Sequence, residues 1–264
     1  MVACVDAIKN WMSTNHLRLN PDKTEFIWFA SSHHLQGIRQ DPINIGSSSI
    51  TPSSSVRDLG VVFDNTLSMN DHISATVKSC FFQLHQLKHI RRSLSNDSVK
   101  SLLYAFVVSR IDYCNALFAG LPNYQLDRLQ SVLNAAACLY SNTSRFAHVS
   151  SILCNDLHWL RIPERITYKL CLLVYHCLHG SAPRYLSSDC VQLRDCSTRL
   201  SGNRSAAQGN LFVPRCRTKT YGPRSFKISG PTAWNALPST LKQDMPLPLL
   251  KSQLKSHLFL SSYH

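Results

Sequence analysis

From Ser68 onward the apolar residues recur at intervals of three and four, and that periodicity commits most of the chain to amphipathic helices. Ile73, Val77, Phe81, Leu84, Leu87 and Ile90 fall on one predicted helical face, with Lys78, His85, Lys88 and Arg92 elsewhere around the same helix. Ser95, a good N-cap, opens a second helix running through Leu102, Leu103, Phe106 and Val107 toward Phe118, and Gly120-Leu121-Pro122 ends it. A third is predicted from Tyr124 to about Tyr140, with Leu126, Leu129, Leu133 and Ala136 on its buried side. Pro163 at a first helical position and Gly180 at a stop frame a fourth, over 163–179. A last helix is expected over roughly 247–260 through Leu250, Leu254 and Leu258. Residues 189–230 read as irregular, followed by a short turn from Pro231 to Pro238.

The segment before Ser68 has a different texture. Val5, Ile8, Trp11 and Met12 predict a helix over 2–15, which Asn20-Pro21-Asp22 breaks because a residue before proline is pushed out of the helical region. Glu25 to Ala30 is aromatic-rich and β-branched, a strand pattern. Ser31 to Ser55 is rich in Ser, Gly and Pro, either a flexible linker or short strands joined by tight turns. Val56 to Asp64 reads as strand–hairpin–strand, with Gly60 allowing close backbone approach. The expected fold class is α+β, a small strand-containing start followed by a mainly helical body.

Charge divides the chain in a similar place. Its 264 residues carry 28 Lys and Arg against 15 Asp and Glu, a formal +13. Residues 1–75 hold five basic and seven acidic side chains, net −2, and the remaining 189 hold 23 and eight, net +15. A near-neutral piece joined to a strongly basic one points to a polyanionic partner, nucleic acid before a membrane surface. With 44% hydrophobic residues a true core can be buried. No apolar stretch approaches the length needed to span a bilayer, and Asp6 stands where a signal peptide would have its apolar heart. The expectation is an intracellular protein of nucleus or cytoplasm, neither secreted nor membrane-spanning, whose ten cysteines are reduced thiols.

Catalytic signatures are sparse. Cys171, His176, Cys177, His179, Cys190 and Cys196 lie near one another in sequence, but no Cys-x-x-Cys pair occurs, so core thiols are expected rather than a metal site. The chain has no Gly-x-Ser-x-Gly elbow, no Gly-rich phosphate loop and no two adjacent acidic residues. Binding is better supported than catalysis. Arg215, Arg217, Lys219 and Arg224 interleave with Tyr221 and Phe226, after Phe212: cations for phosphates and rings for unpaired bases. The plainer reading is a solvated loop whose aromatics dock it on the helical body. Lys88, Arg91 and Arg92, with His89, form a second candidate patch, although basic residues are favoured at a helix C-terminus in any case.

Several phrases also resemble a known family. Trp11-Met-Ser-Thr-Asn-His-Leu-Arg-Leu-Asn-Pro-Asp-Lys-Thr-Glu-Phe26 is similar to the segment after the catalytic Asp-Asp motif of non-LTR (LINE-type) retrotransposon reverse transcriptases. Val56-Arg-Asp-Leu-Gly-Val-Val-Phe-Asp64 resembles their primer-grip hairpin. Ser109 to Pro122 and Leu126 to Ala136 resemble the helical region downstream, and His158-Trp-Leu160, Gly180 to Leu186, Gly222 to Phe226 and Trp234 to Pro238 resemble its C-terminal phrases. Cys138, where the family often has arginine, and Arg161-Ile162, which interrupts a phrase, depart from the pattern. The resemblance implies a palm remnant over 1–67, a thumb-like domain over 68–145 and a basic C-terminal region over 146–264. It implies a truncated RNA-directed DNA polymerase fragment without the metal-holding aspartates, so inactive alone, and no cofactor of its own, although the parent enzyme would use Mg2+. Lys23 would be a latent general acid toward pyrophosphate. Gly60 would approach the primer strand. The alternative is a basic module gripping RNA or a primer–template duplex. Missing palm strands would leave an edge at Glu25–Ala30, and hence a route to self-association.

Overall fold

The computed structural model describes residues 2–45, 48–144, 148–196 and 208–263. The chain is α+β and divides into two compact units, Met1–Ala75 and Thr76–His264.

In the first unit, helix α1 (Val2–Thr14) is followed by a tight turn, Pro21–Lys23, that the Asn20 side chain closes by accepting from the Asp22 N–H at 3.0 Å. Short elements follow: β1 (Phe26–Ile27), α2 (Ser32–Leu35), β2 (Ile43–Ile45), β3 (Ser48–Ile50), β4 (Pro52–Ser53), β5 (Ser55–Asp58) and β6 (Val61–Asp64). They pair as three two-stranded sheets, β1 with β4 in parallel and β2–β3 and β5–β6 antiparallel. Of the two readings of 31–55, short strands and turns is the one found. The strand expected over 25–30 shrinks to two residues. Its partner β4 begins at Pro52, which has no N–H to extend a ladder.

The β5–β6 hairpin closes through Leu59 and Gly60, at φ 45° and 86°. Two successive positive φ values make the turn whose twist matches the flanking strands. The buried Asp64 carboxylate ends β6 and accepts from the Thr66 hydroxyl at 2.6 Å and the Ser68 N–H at 2.8 Å, ordering the entry to α3 (Asn70–Ile90). The buried stripe of α3 is Ile73, Cys80, Leu84 and Leu87, with Val77 half-buried between them. Phe81 and Ile90, expected inside, are 42% and 48% exposed. The small thiol of Cys80 takes the place assigned to Phe81, because steps of four, three, four and three from Ile73 land on residue 80.

The second unit contains α4 (Asn96–Leu103), a π-helical turn (Tyr104–Val108), α5 (Ser109–Asp112), α6 (Asn123–Ser141), α7 (Ile162–Leu178), α8 (Arg184–Ser187), α9 (Phe226–Asn235) and α10 (Leu247–Tyr263). Ser95 caps α4 as expected, its Oγ accepting from the Ser98 N–H at 3.2 Å. The helix predicted to reach Phe118 stops at Asp112, and Cys114 turns left-handed at φ 52°. The π turn inserts an extra residue into the apolar register, so Leu103, Val107, Val108 and Ile111 are buried while Phe106 is 40% exposed.

Helix α7 is the hub of this unit, packing against α6, α9 and α10. Pro163 stands in its first turn, and Gly180 at φ 66° follows its end, where the Ser181 N–H returns to the His176 carbonyl at 3.0 Å. Cys171, Val174 and Tyr175 of α7 share one core with Trp234, Leu250, Leu254 and Leu258. The turn expected from Pro231 is instead the second half of α9, with Pro231 inside the helix. Burial of Trp234, whose indole N–H reaches the Gly209 carbonyl at 3.2 Å, outweighs the hydrogen bond that proline forfeits. No helix among the described residues is long and apolar enough to cross a membrane.

Candidate nucleic-acid interface

Helix α3 ends beside the last turn of α6, and the two frame a groove of about 770 Å³. Lys88 and Arg92 stand exposed on its wall. His85 and His89 join them one helical turn apart, their Nε2 atoms 3.1 Å from each other. Arg91 is differently employed. Its Nε donates to the Leu139 carbonyl at 3.0 Å, and its terminal nitrogens donate to the carbonyls of Leu94 and Tyr140 and to Asn96 Oδ1, at 3.1, 2.7 and 2.6 Å. Those carbonyls include two that α6 leaves without intrahelical partners as it unwinds through Asn142, at φ 55°. Arg91 therefore caps α6, and its four hydrogen bonds occupy most of the N–H groups with which a guanidinium would meet a phosphate.

The basic segment after residue 208 separates in the same manner. Arg215, Arg217 and Lys219 are exposed. Tyr221 and Arg224 are half-buried. The Arg224 Cγ lies 2.9 Å from where a Cβ on Gly120 would stand, so its side chain crosses the backbone at a glycine, itself at φ 67°. Phe226 packs on the α7 core, whereas Phe212 remains 40% exposed. The segment is thus docked at one end and presents three cations at the other. Arg199 and Arg204, which precede this segment and add to the second unit's charge, lie outside the described residues.

In the first unit Lys23 is exposed at the end of its turn, and Gly60 is exposed at the hairpin tip beside Leu59, which is 84% exposed. No group of three or more His, Cys, Asp or Glu side chains among the described residues can hold a metal ion. Cys171, Cys177 and Cys190 are buried, and burial pushes the Cys171 and Cys190 thiols up to about 12. They behave as small apolar side chains.

One arrangement escaped the reading of the sequence. Asp112 and Arg165 form an ion pair at 2.7 Å, and the Arg165 Nε also donates to the Leu160 carbonyl at 2.7 Å. The signal was an Arg-Ile-Asp triplet inside an otherwise apolar run, where unpaired charge would be costly. No family model matches the chain, and no curated protein or solved structure matches it either.

Proposed function

We propose that this chain is a nucleic-acid-gripping body of the non-LTR reverse-transcriptase type, which holds RNA or a primer–template duplex and does not itself polymerise. The observation that carries the reading is the coincidence of two boundaries. The compact units divide at Ala75–Thr76, and the whole positive excess, 23 basic against eight acidic residues, belongs to the second unit. Its Arg165, Arg194 and Lys227 lie within reach of acids, while Lys88, Arg92, Arg215, Arg217 and Lys219 are exposed cations. Exposed cations of this kind attract polyphosphate and release its counterions. The hairpin at Leu59–Gly60 supports the primer-grip comparison in shape, and Lys23 is accessible for the role the resemblance implies.

The test is the salt dependence of binding to a labelled RNA–DNA duplex. Log affinity is expected to fall steeply with log salt. Replacing Arg215, Arg217 and Lys219 by Gln should flatten the slope by roughly 0.7–0.9 for each phosphate no longer neutralised. An unchanged slope removes those three residues from the interface, and a chain that binds no polyanion overturns the reading. The pure chain is expected to add no nucleotide to a primed template, and metal-dependent extension would overturn that half of the proposal.

A further inference from the structure

Two stretches far apart in sequence, Asp112–Asn115 and His158–Leu160, meet at an open cavity of about 270 Å³ in the second unit, lined also by Tyr104, Arg165 and Tyr168. We infer that this cavity receives one unpaired nucleobase of a single strand, with the flanking phosphate held at its mouth by Lys169 and Lys255. The inference rests on the nucleic-acid reading above and gives it a specific subsite.

The floor is polar and incompletely satisfied. Asn115 is 5% exposed, and its Nδ2 donates to Asp112 Oδ1 at a long 3.4 Å. Its Oδ1 is buried with no hydrogen-bond partner among the described residues. A buried acceptor left so is costly, and the broad torsion of an Asn amide lets it turn toward an incoming N–H. Beside it, two described bonds fix Arg165, one to Asp112 and one to Leu160, and they occupy two of the five N–H groups a guanidinium carries. An acceptor next to a donor is the complement of the hydrogen-bonding edge of a base.

The remaining walls suit a flat ring. Tyr168 is half-buried along one side, and Tyr104, 60% exposed, stands at the rim where a ring could be covered. Rings of this kind stack on bases irrespective of sequence. His158 holds a left-handed backbone, φ 52°, at the same rim. Lys169 and Lys255 are exposed at the opening, where a phosphate on the base's own sugar would lie. The volume sits at the small end of ligand pockets, which admits one base and excludes a paired duplex.

The experiment uses the full chain and fluorescence anisotropy of four probes: a short single-stranded RNA, the same DNA, an abasic DNA strand of equal length, and a blunt duplex. Wild type is expected to bind the base-bearing strands roughly ten-fold more tightly than the abasic one, in line with stacking on a single ring. Tyr104→Ala, at an exposed position that leaves the core untouched, should abolish that preference while keeping abasic and duplex affinity. Tyr104→Phe should restore it, and Lys169→Gln with Lys255→Gln should weaken every single strand. RNA and DNA arms of equal affinity identify the base alone as the recognised group, and a gap between them adds the sugar. Equal, salt-sensitive binding of base-bearing and abasic strands, or a preference that survives Tyr104→Ala, overturns the cavity assignment and leaves the broader reading standing. A chain that binds none of the probes overturns both.

Discussion

His72 shows how a single side chain ties stability to pH. It is 6% exposed, its Nδ1 lies 3.4 Å from the Val62 N–H, and burial, then the charge of Arg57, hold its pKa below the ordinary 6.5. The folded state therefore binds its proton less readily than the unfolded chain. The stability this confers is complete above pH 6.5 and is lost as pH falls through the lowered value. The urea midpoint should accordingly drop between pH 7 and pH 5, and His72→Asn should flatten that dependence; an equal slope in the variant would exonerate His72. Arg91 makes the complementary case. Arg91→Ala should cost about 1–3 kcal/mol by denaturant titration, because it strands the α6 carbonyls, and Arg91→Lys should recover little, since an ammonium cannot reproduce a planar fork. Lys88→Ala and Arg92→Ala, on the same patch but exposed, should stay within about 0.5 kcal/mol of wild type. Adjacent basic residues read alike in sequence and differ here because only one of them faces a helix end.

Elements end where local chemistry says so, and they face where packing says so. The Ser95 cap, the Pro163 start and the Gly180 stop were legible because each answers a need of a few neighbouring backbone groups. The orientation of α3 was not, since choosing Cys80 over Phe81 for the interior requires knowing how large the neighbouring side chains are. The π turn at 104–108 hid a register shift of the same kind, and with it the exposure of Tyr104 and Phe106. The glycines allow a contrast at this scale. Gly180→Ala should lower stability by only about 1–2 kcal/mol, the cost of a left-handed alanine, because nothing lies within 4 Å of the added carbon. Gly120→Ala should cost more, because the same strain is joined by a collision with Arg224, and thermal unfolding of the two variants would order them. Equal losses would mean that Arg224 yields without penalty.

At the scale of the whole molecule the first unit carries an unusual surface. Ile8, Trp11, Leu17 and Phe29 are 48%, 62%, 53% and 49% exposed, and β1 pairs with β4 alone among the described strands. Large exposed apolar side chains favour contact with another chain. Sedimentation velocity should show mass rising with concentration, reduced in Trp11→Ser with Phe29→Ser; a monomer at every concentration would set this aside. The amino-acid sequence by itself determined the α+β class, most helix boundaries, the hairpin at Leu59–Gly60 and the uneven charge, since caps, turns, periodicity and composition act locally or sum without regard to position. Tertiary structure alone decided which cations remain exposed, why Pro231 sits inside a helix, and that Asp112, Asn115 and Arg165 share one cavity. Those outcomes depend on what a side chain meets across the fold, and long-range packing is what a linear pattern does not encode.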